Sequence, residues 1–246
     1  MNLIKFYQEI KESNSNYELN SRTLFMDKFL NYLSNNEPFM FGKWNDGEIG
    51  GIDKVGFVAA RGDQVVGKEL HDKLIWGISQ KVDNYYIGIP CSVCYPEYHN
   101  LSLKYVDKSS EFVCLATALT NKAWKPFVSL FPDCIKGKRF HWICGDDQDI
   151  SIFETVLDIE LTSCRMVPKR NGWSKYNEIS KAINDFQDGD IIGLSCGPVS
   201  RVLAAEWFLQ NKTLTCLDLG STFDPFSRNV WHRCHLGTLP LCNECN

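Results

Sequence analysis

The segment DGDIIGLSCGP, residues 188–198, decides the fold class. It is typical of a buried strand that ends at Gly197, with Pro198 in the first turn of a helix, where its missing N–H costs nothing. A helix is predicted over Val199–Asn211, and the segment TLTCLDLG, residues 213–220, follows as the next strand. A strand, a crossover helix and a returning strand predict a parallel sheet.

Five further apolar runs have the length of strands. They are Phe39–Trp44, Tyr85–Pro90, Glu111–Ala116, Arg139–Cys144 and Ser163–Val167, beside Asp190–Cys196 and Leu214–Leu219. Amphipathic helical spacing lies between them at Lys68–Lys81 and Tyr176–Phe186. The alternation predicts a single α/β domain, with a Rossmann-like, mainly parallel sheet and helices on both faces.

We expect three parts along the chain. Residues 1–36 form an N-terminal helical segment packed on the domain, residues 37–228 form the α/β domain, and residues 229–246 form a cysteine-containing tail.

Composition narrows the function classes. The chain has 246 residues, of which 44% are hydrophobic and 23% charged, as in ordinary globular proteins. A net charge of −4 without a basic run argues against nucleic acid as the main partner. No leader and no apolar run of about 20 residues is present, so we expect a soluble, cytoplasmic protein without a transmembrane segment. The phosphate-loop signatures of P-loop and dinucleotide enzymes are also missing.

Two carboxylates, Asp46 and Glu48, follow the strand Phe39–Trp44 directly. Ligands of parallel sheets bind beyond the carboxyl ends of the strands, where Gly197 and Asp218–Gly220 also fall. We therefore predict one shared cleft. Carboxylates on either side of a glycine suit a hard divalent cation, and a plain surface turn is the alternative interpretation.

Four blocks, read together and in order, resemble the bacterial glycosyltransferases that define the GT-D fold and were first catalogued as a domain of unknown function. The resemblance covers about residues 35–226. The blocks are Lys43–Glu48, Ile87–Pro90, Pro168–Gly172 with Lys175–Ile179, and Ser195–Ala204 with Asp218–Gly220. The chain departs from that family at Lys43, which replaces arginine, at Asn45, which replaces glycine, and at Ser221, where histidine is common.

This resemblance implies a metal-dependent glycosyltransferase. It would move a sugar from a nucleoside diphosphate sugar, with a UDP-sugar favoured, to a hydroxyl of a glycan or another acceptor. Asp46 and Glu48 would hold Mn²⁺ or Mg²⁺. The chemistry agrees, since a leaving diphosphate needs a cation, basic groups and N–H donors. The donor-binding candidates are Lys43, Lys169, Arg170, Asn171, Gly197, Pro198, Asp218 and Ser221.

An inverting transfer also needs a base for the acceptor hydroxyl. Asp224 is the first candidate, and Asp218 and His232 are the alternatives. Asp46, Glu48 and Asp224 thus form the predicted catalytic set.

The cysteines form a separate question. Their odd number, eleven, in a chain without a leader favours reduced thiols. Two C-x-x-C pairs have the spacing of a structural zinc site, with free thiols as the alternative. The pairs are Cys91 with Cys94 and Cys242 with Cys245; His99, Cys234 and His235 are alternative ligands.

Two rival functions stay open at this point. One is a zinc-stabilised, non-catalytic module that binds a nucleotide or a partner. The other is a different Rossmann-like nucleotide-dependent transferase, such as a methyltransferase. The donor sugar, the acceptor, the stereochemistry and the oligomeric state, a homo-oligomer included, are not specified by the sequence.

Overall fold

A computed structural model of the protein describes residues 2–14, 24–59, 64–107 and 109–231. Its strands are β1 (Met40–Lys43), β2 (Val58–Ala59), β3 (Gln64–Val65), β4 (Tyr85–Ile89), β5 (Val113–Leu115), β6 (Phe140–Gly145), β7 (Ser163–Val167), β8 (Ile191–Ser195) and β9 (Thr215–Asp218).

The α-helices are α1 (Leu3–Ser13), α2 (Leu24–Asn35), α3 (Asp46–Asp53), α4 (Lys68–Ile78), α5 (Pro96–Ser102), α6 (Trp124–Ile135), α7 (Ser151–Thr155), α8 (Tyr176–Ile179), α9 (Val199–Gln210) and α10 (Asp224–Ser227). Short 3₁₀ helices cover Asn121–Ala123, Gly172–Lys175 and Ser180–Asp185.

Seven strands form one parallel sheet in the order β5-β4-β1-β9-β8-β6-β7. All seven predicted strands are confirmed, as is the single α/β domain. The five inner strands are buried along their whole length, whereas residues of the edge strands β5 and β7 are partly exposed. Strands covered on both faces are continuous apolar runs, which is why the sequence reveals them.

Helices cover both faces of the sheet. One face packs against α1, α2, α6 and α7, with Phe41 of β1 and Trp142 of β6 in its core. The other face packs against α3, α4 and α9, with Met40 of β1 and Ile143 of β6. Adjacent residues of one strand thus serve opposite layers, as the period of a strand requires.

The alternative interpretation of Asp46 and Glu48 as a plain surface turn is wrong, because both belong to the first turn of α3. One local prediction is wrong as well. The stretch Tyr176–Phe186 is not one helix but the four-residue α8 followed by a 3₁₀ helix. Trp207 of α9 donates to the Ser180 carbonyl at 2.9 Å, a tertiary bond that local spacing does not report.

No helix among the described residues is both long enough and apolar enough to cross a membrane.

Candidate active site

An open cleft of about 530 Å³ lies at the carboxyl edge of the sheet. Its walls come from the segments that follow β1, β6, β7, β8 and β9. The lining residues are Lys43, Asn45, Asp46, Gly47, Glu48, Gly145, Pro168, Lys169, Ser195, Cys196, Gly197, Arg201, Gly220, Ser221, Asp224, Arg228 and Val230. This is the edge at which parallel sheets bind ligands.

The start of α3 positions the two carboxylates. Asn45 is extended, with φ −97° and ψ −165°, and its N–H donates to the Glu48 carboxylate at 3.2 Å. This is the reach-back bond of a capping box, and acidic side chains in a first turn also suit the helix dipole. Asp46 is exposed in the cleft, whereas Glu48 is buried. One carboxylate is therefore available to a ligand and the other is fixed by the protein.

Arg201 of α9 lies between two buried carboxylates. Its Nη2 is 3.4 Å from Glu48 Oε1, and its Nε is 2.8 Å from Asp218 Oδ2. The same oxygen of Asp218 accepts from the Lys43 N–H at 3.0 Å. The cluster joins the ends of β1 and β9 to α3 and α9.

The charges of this cluster shift one another. Burial raises the pKa of Glu48 above its ordinary value, and nearby Asp218 and Asp46 add to the rise, although Arg201 and the Asn45 N–H act against it. Burial acts to lower the pKa of Arg201, but Asp218 and Glu48 outweigh it, so the pKa is raised. The guanidinium therefore stays charged.

Two glycines shape the floor of the cleft. Gly197 has φ +65° and Gly220 has φ +48°, both in the left-handed region that favours glycine. A Cβ on Gly220 would lie 2.8 Å from Lys43 Nζ. The ammonium therefore lies directly beside the bare backbone of Gly220, and it donates to the Leu219 carbonyl at 3.2 Å.

At the β6–β7 end of the cleft, two positively charged side chains pair with one carboxylate. Asp147 Oδ2 is 2.9 Å from Lys169 Nζ, and Asp147 Oδ1 is 2.7 Å from Arg228 Nη2. Arg228 Nη1 lies 3.0 Å from Asp224 Oδ1. Burial acts to raise the pKa of Asp147, but Lys169 and Arg228 outweigh it and lower the pKa. A Cβ on Gly145 would lie 2.9 Å from both Arg228 Nη2 and Asp147 Oδ1, so glycine leaves room for this pairing.

The structure brings most of the predicted residues together. Those lining the cleft are Lys43, Asp46, Glu48, Lys169, Gly197, Ser221 and Asp224. Four others do not line it. Asp218 is fully buried against Arg201, and Pro198 is buried at the start of α9. Arg170 and Asn171 are exposed outside the cleft, where Asn171 accepts from Gln64 at 3.2 Å. His232 lies outside the described residues.

Sequence reasoning missed Arg201 and Arg228, which both line the cleft. For Arg201 a signal exists, because it is the charged residue in the apolar stretch Val199–Ala205 that directly follows the Gly197 turn. Arg228 lies four residues after Asp224, the spacing of neighbours on a helix. Its second partner, Asp147, is distant in the sequence.

The donor set fits a divalent cation that is shared with a ligand. Within the described ranges, no group of three or more His, Cys, Asp or Glu could enclose a metal ion. Mg²⁺ and similar cations are commonly held by one or two carboxylates together with substrate phosphates. Asp46 and Glu48 match that arrangement, with Asp46 exposed in the cleft.

The zinc prediction stays a prediction. Cys91 is buried and Cys94 is partly buried just beyond the end of β4. Cys242 and Cys245, like the alternative ligands Cys234 and His235, lie outside the described residues.

Solved structures with the same architecture exist. One, described as a selenomethionine-substituted structure of domain of unknown function 1792, has a TM-score of 0.62 at 16% identity, over 89% of this chain and 85% of its own. The chain shares this fold. A second structure, whose description says that this highly conserved domain has a distinct glycosyltransferase fold, has a TM-score of 0.61 at 18% identity, over 80% and 78%.

A third, described as a new glycosyltransferase from Streptococcus sanguinis, has a TM-score of 0.62 at 18% identity, over 81% of this chain and 82% of its own. No protein-family model and no curated protein matches the chain. The likeness to solved structures therefore confirms the glycosyltransferase-type fold expected from the sequence, and the other two comparisons add nothing to it.

Proposed function

We propose that the protein is a metal-dependent glycosyltransferase that uses a nucleoside diphosphate sugar, with a UDP-sugar favoured, and transfers the sugar to a hydroxyl of a glycan or another acceptor. One observation carries the proposal. Seven residues predicted from the sequence, from separate segments of the chain, line a single cleft in a fold shared with a domain described as a glycosyltransferase.

Donor binding is supported by the charge around the cleft. Lys43 and Lys169 provide cationic groups for a diphosphate, and the segment after Gly197 leads into the 12-residue helix α9. The Ser200 and Arg201 N–H groups donate to the carbonyls of Gly197 and Pro198, so at this point it is the positive end of the α9 dipole that favours an anion. The glycine at 197 lets the backbone approach the ligand closely.

The metal would be held by Asp46 and Glu48. When bound, a divalent cation neutralises the negative charge that develops on the leaving diphosphate. Glu48 is fixed by Arg201 and by the Asn45 N–H, so the exposed Asp46 is the carboxylate that a ligand meets first.

For an inverting transfer, Asp224 is the base that removes the proton from the acceptor hydroxyl. Asp224 lines the cleft, and Arg228 Nη1, 3.0 Å from Asp224 Oδ1, holds its carboxylate in place. Asp218 is less suited, because its side chain is fully buried and bonded to Arg201.

A donor-hydrolysis screen tests the proposal. The wild-type protein with Mn²⁺ is expected to hydrolyse one class of nucleoside diphosphate sugar, and Asp46→Asn is expected to lose this activity. Asp53→Asn is the matched control, because Asp53 is exposed at the other end of the same helix. If no donor in the panel is hydrolysed and S-adenosylhomocysteine stabilises the protein instead, the methyltransferase alternative replaces this proposal.

A further inference from the structure

Arg201 contacts four separate segments of the site. Besides Glu48 and Asp218, its Nε donates to the Lys43 carbonyl at 2.8 Å and its Nη1 to the Gly197 carbonyl at 2.5 Å. One planar group therefore touches the end of β1, the start of α3, the end of β9 and the turn that follows β8.

These contacts are buried, so the loss of one of them is costly. Arg201 and Glu48 are each about 6% exposed, and Asp218 is 0% exposed. At such low exposure water replaces a lost partner poorly, so removing one member leaves the others with poorly compensated charge. Arg201 is the cation beside Asp218, whose Oδ2 also accepts from the Lys43 N–H and whose Oδ1 has no hydrogen-bond partner among the described residues.

The two ends of the guanidinium serve two different halves of the cleft. Nη2 faces the carboxylate that would hold the metal, and Nη1 faces the carbonyl of the turn that would receive the diphosphate. A fixed fork of donors can hold both at once, whereas a lysine offers a point charge on a flexible stem.

We propose that Arg201 is a positioning residue, which fixes Glu48 and the Gly197 turn relative to each other before metal and nucleoside diphosphate bind. The effect of Arg201 on metal and nucleoside diphosphate binding rests on the proposed function. The preorganisation itself concerns the ligand-free protein and can be tested without any ligand.

Hydrogen–deuterium exchange of the ligand-free protein is the first test. In Arg201→Lys, amide exchange in peptides covering 44–50 and 195–201 is expected to be roughly tenfold or more faster, because the bonds of a charged group to Glu48 and to the Gly197 carbonyl are lost. The ends of β1 and β9, which Arg201 also contacts, are expected to respond as well, and exchange elsewhere is expected to stay unchanged.

Arg139→Lys is the matched control. Arg139 also forms a two-pronged pair, with Asp190, at 2.7 Å and 3.4 Å, but it lies just before β6 at the opposite edge of the sheet. It is expected to leave exchange in both peptides as in the wild type. Equal effects of the two variants, or unchanged exchange in Arg201→Lys, would overturn the proposal.

Ligand binding is the second test. Affinity for Mn²⁺ measured in the presence of UDP is expected to fall roughly 10- to 100-fold in Arg201→Lys, as for other residues that orient metal ligands, and to stay unchanged in Arg139→Lys. Wild-type affinity in Arg201→Lys contradicts the positioning role. If the wild type binds neither ligand while exchange responds as expected, the glycosyltransferase proposal fails and the positioning role stands.

Should Arg201→Lys not fold, Glu48→Gln removes the same ion pair from its other end. Faster exchange in the peptide 44–50 is then expected, and unchanged exchange there would overturn the proposal.

Discussion

Replacing Gly220 with alanine would put a methyl group beside the Lys43 ammonium. The new Cβ would lie 2.8 Å from Lys43 Nζ and 3.0 Å from its Cε. These atoms are the flexible end of the side chain, so the lysine moves and the backbone stays. Lys43 then loses its hydrogen bond to the Leu219 carbonyl, now 3.2 Å long. A bond of a charged group contributes roughly 1.5–3 kcal/mol.

A second contribution comes from the backbone. Gly220 has φ +48°, and a side chain in the left-handed region costs about 1–2 kcal/mol. Gly137→Ala measures this strain alone, because Gly137 has φ +73° and a Cβ there would meet no atom within 4 Å. We therefore expect Gly220→Ala to lower the free energy of unfolding by about 1.5 kcal/mol or more beyond Gly137→Ala.

Urea denaturation of both variants measures this difference, and titration with UDP and Mn²⁺ measures its effect on the cleft. Displacing the ammonium is expected to weaken UDP binding about tenfold, which corresponds to about 1.4 kcal/mol. The reasoning is refuted if Gly220→Ala is no less stable than Gly137→Ala and binds UDP as the wild type does.

Three further outcomes are expected. Asp224→Asn should lower transfer on the order of 100-fold or more and leave UDP affinity unchanged; unchanged turnover would remove Asp224 as the base. Burial lowers the pKa of His141 below its ordinary value of 6.5, so the unfolded chain is protonated first and the free energy of unfolding should fall as pH drops below about 6.5. Urea denaturation at about pH 7.5 and about pH 5 measures this fall. The fall in the free energy of unfolding should be smaller in His141→Gln than in the wild type, and an equal fall in the two proteins would contradict this. Metal analysis of protein purified without added zinc should find about one zinc per chain, and Cys245→Ser should lower the melting temperature; absence of zinc, with Cys91, Cys94, Cys242 and Cys245 all reacting freely in the native protein, would exclude the site.

Much of the fold was predictable because its signals are local. A central strand such as β8 is buried on both faces and is therefore apolar over its whole length. The order of the strands was not predictable, since β9 lies between β1 and β8 although β1 is far away in the sequence. The hairpin of β2 and β3 was missed because two-residue strands are too short to show alternation.

The candidate site, like the fold, was predictable only in part. Asp46, Glu48 and Gly197 could be placed at one edge because each follows a parallel strand. The role of Asp218 could not, because it depends on its pairing with Arg201, and the apolar stretch around Arg201 does not indicate which partner that residue has. Arg170 and Asn171 illustrate the same limit, since position next to Lys169 does not decide which side chain turns into the cleft.

The central claim is that Asp46 and Glu48 hold a divalent cation for a nucleoside diphosphate. Calorimetric titration of UDP, and of GDP for comparison, with and without Mn²⁺ tests it most directly. We expect Mn²⁺ to raise the affinity of the wild type at least about tenfold, Asp46→Asn to lose that gain, and Asp53→Asn to keep it. Diphosphate binding that is absent, or that is insensitive to Mn²⁺ and equal in wild type and Asp46→Asn, would contradict the account.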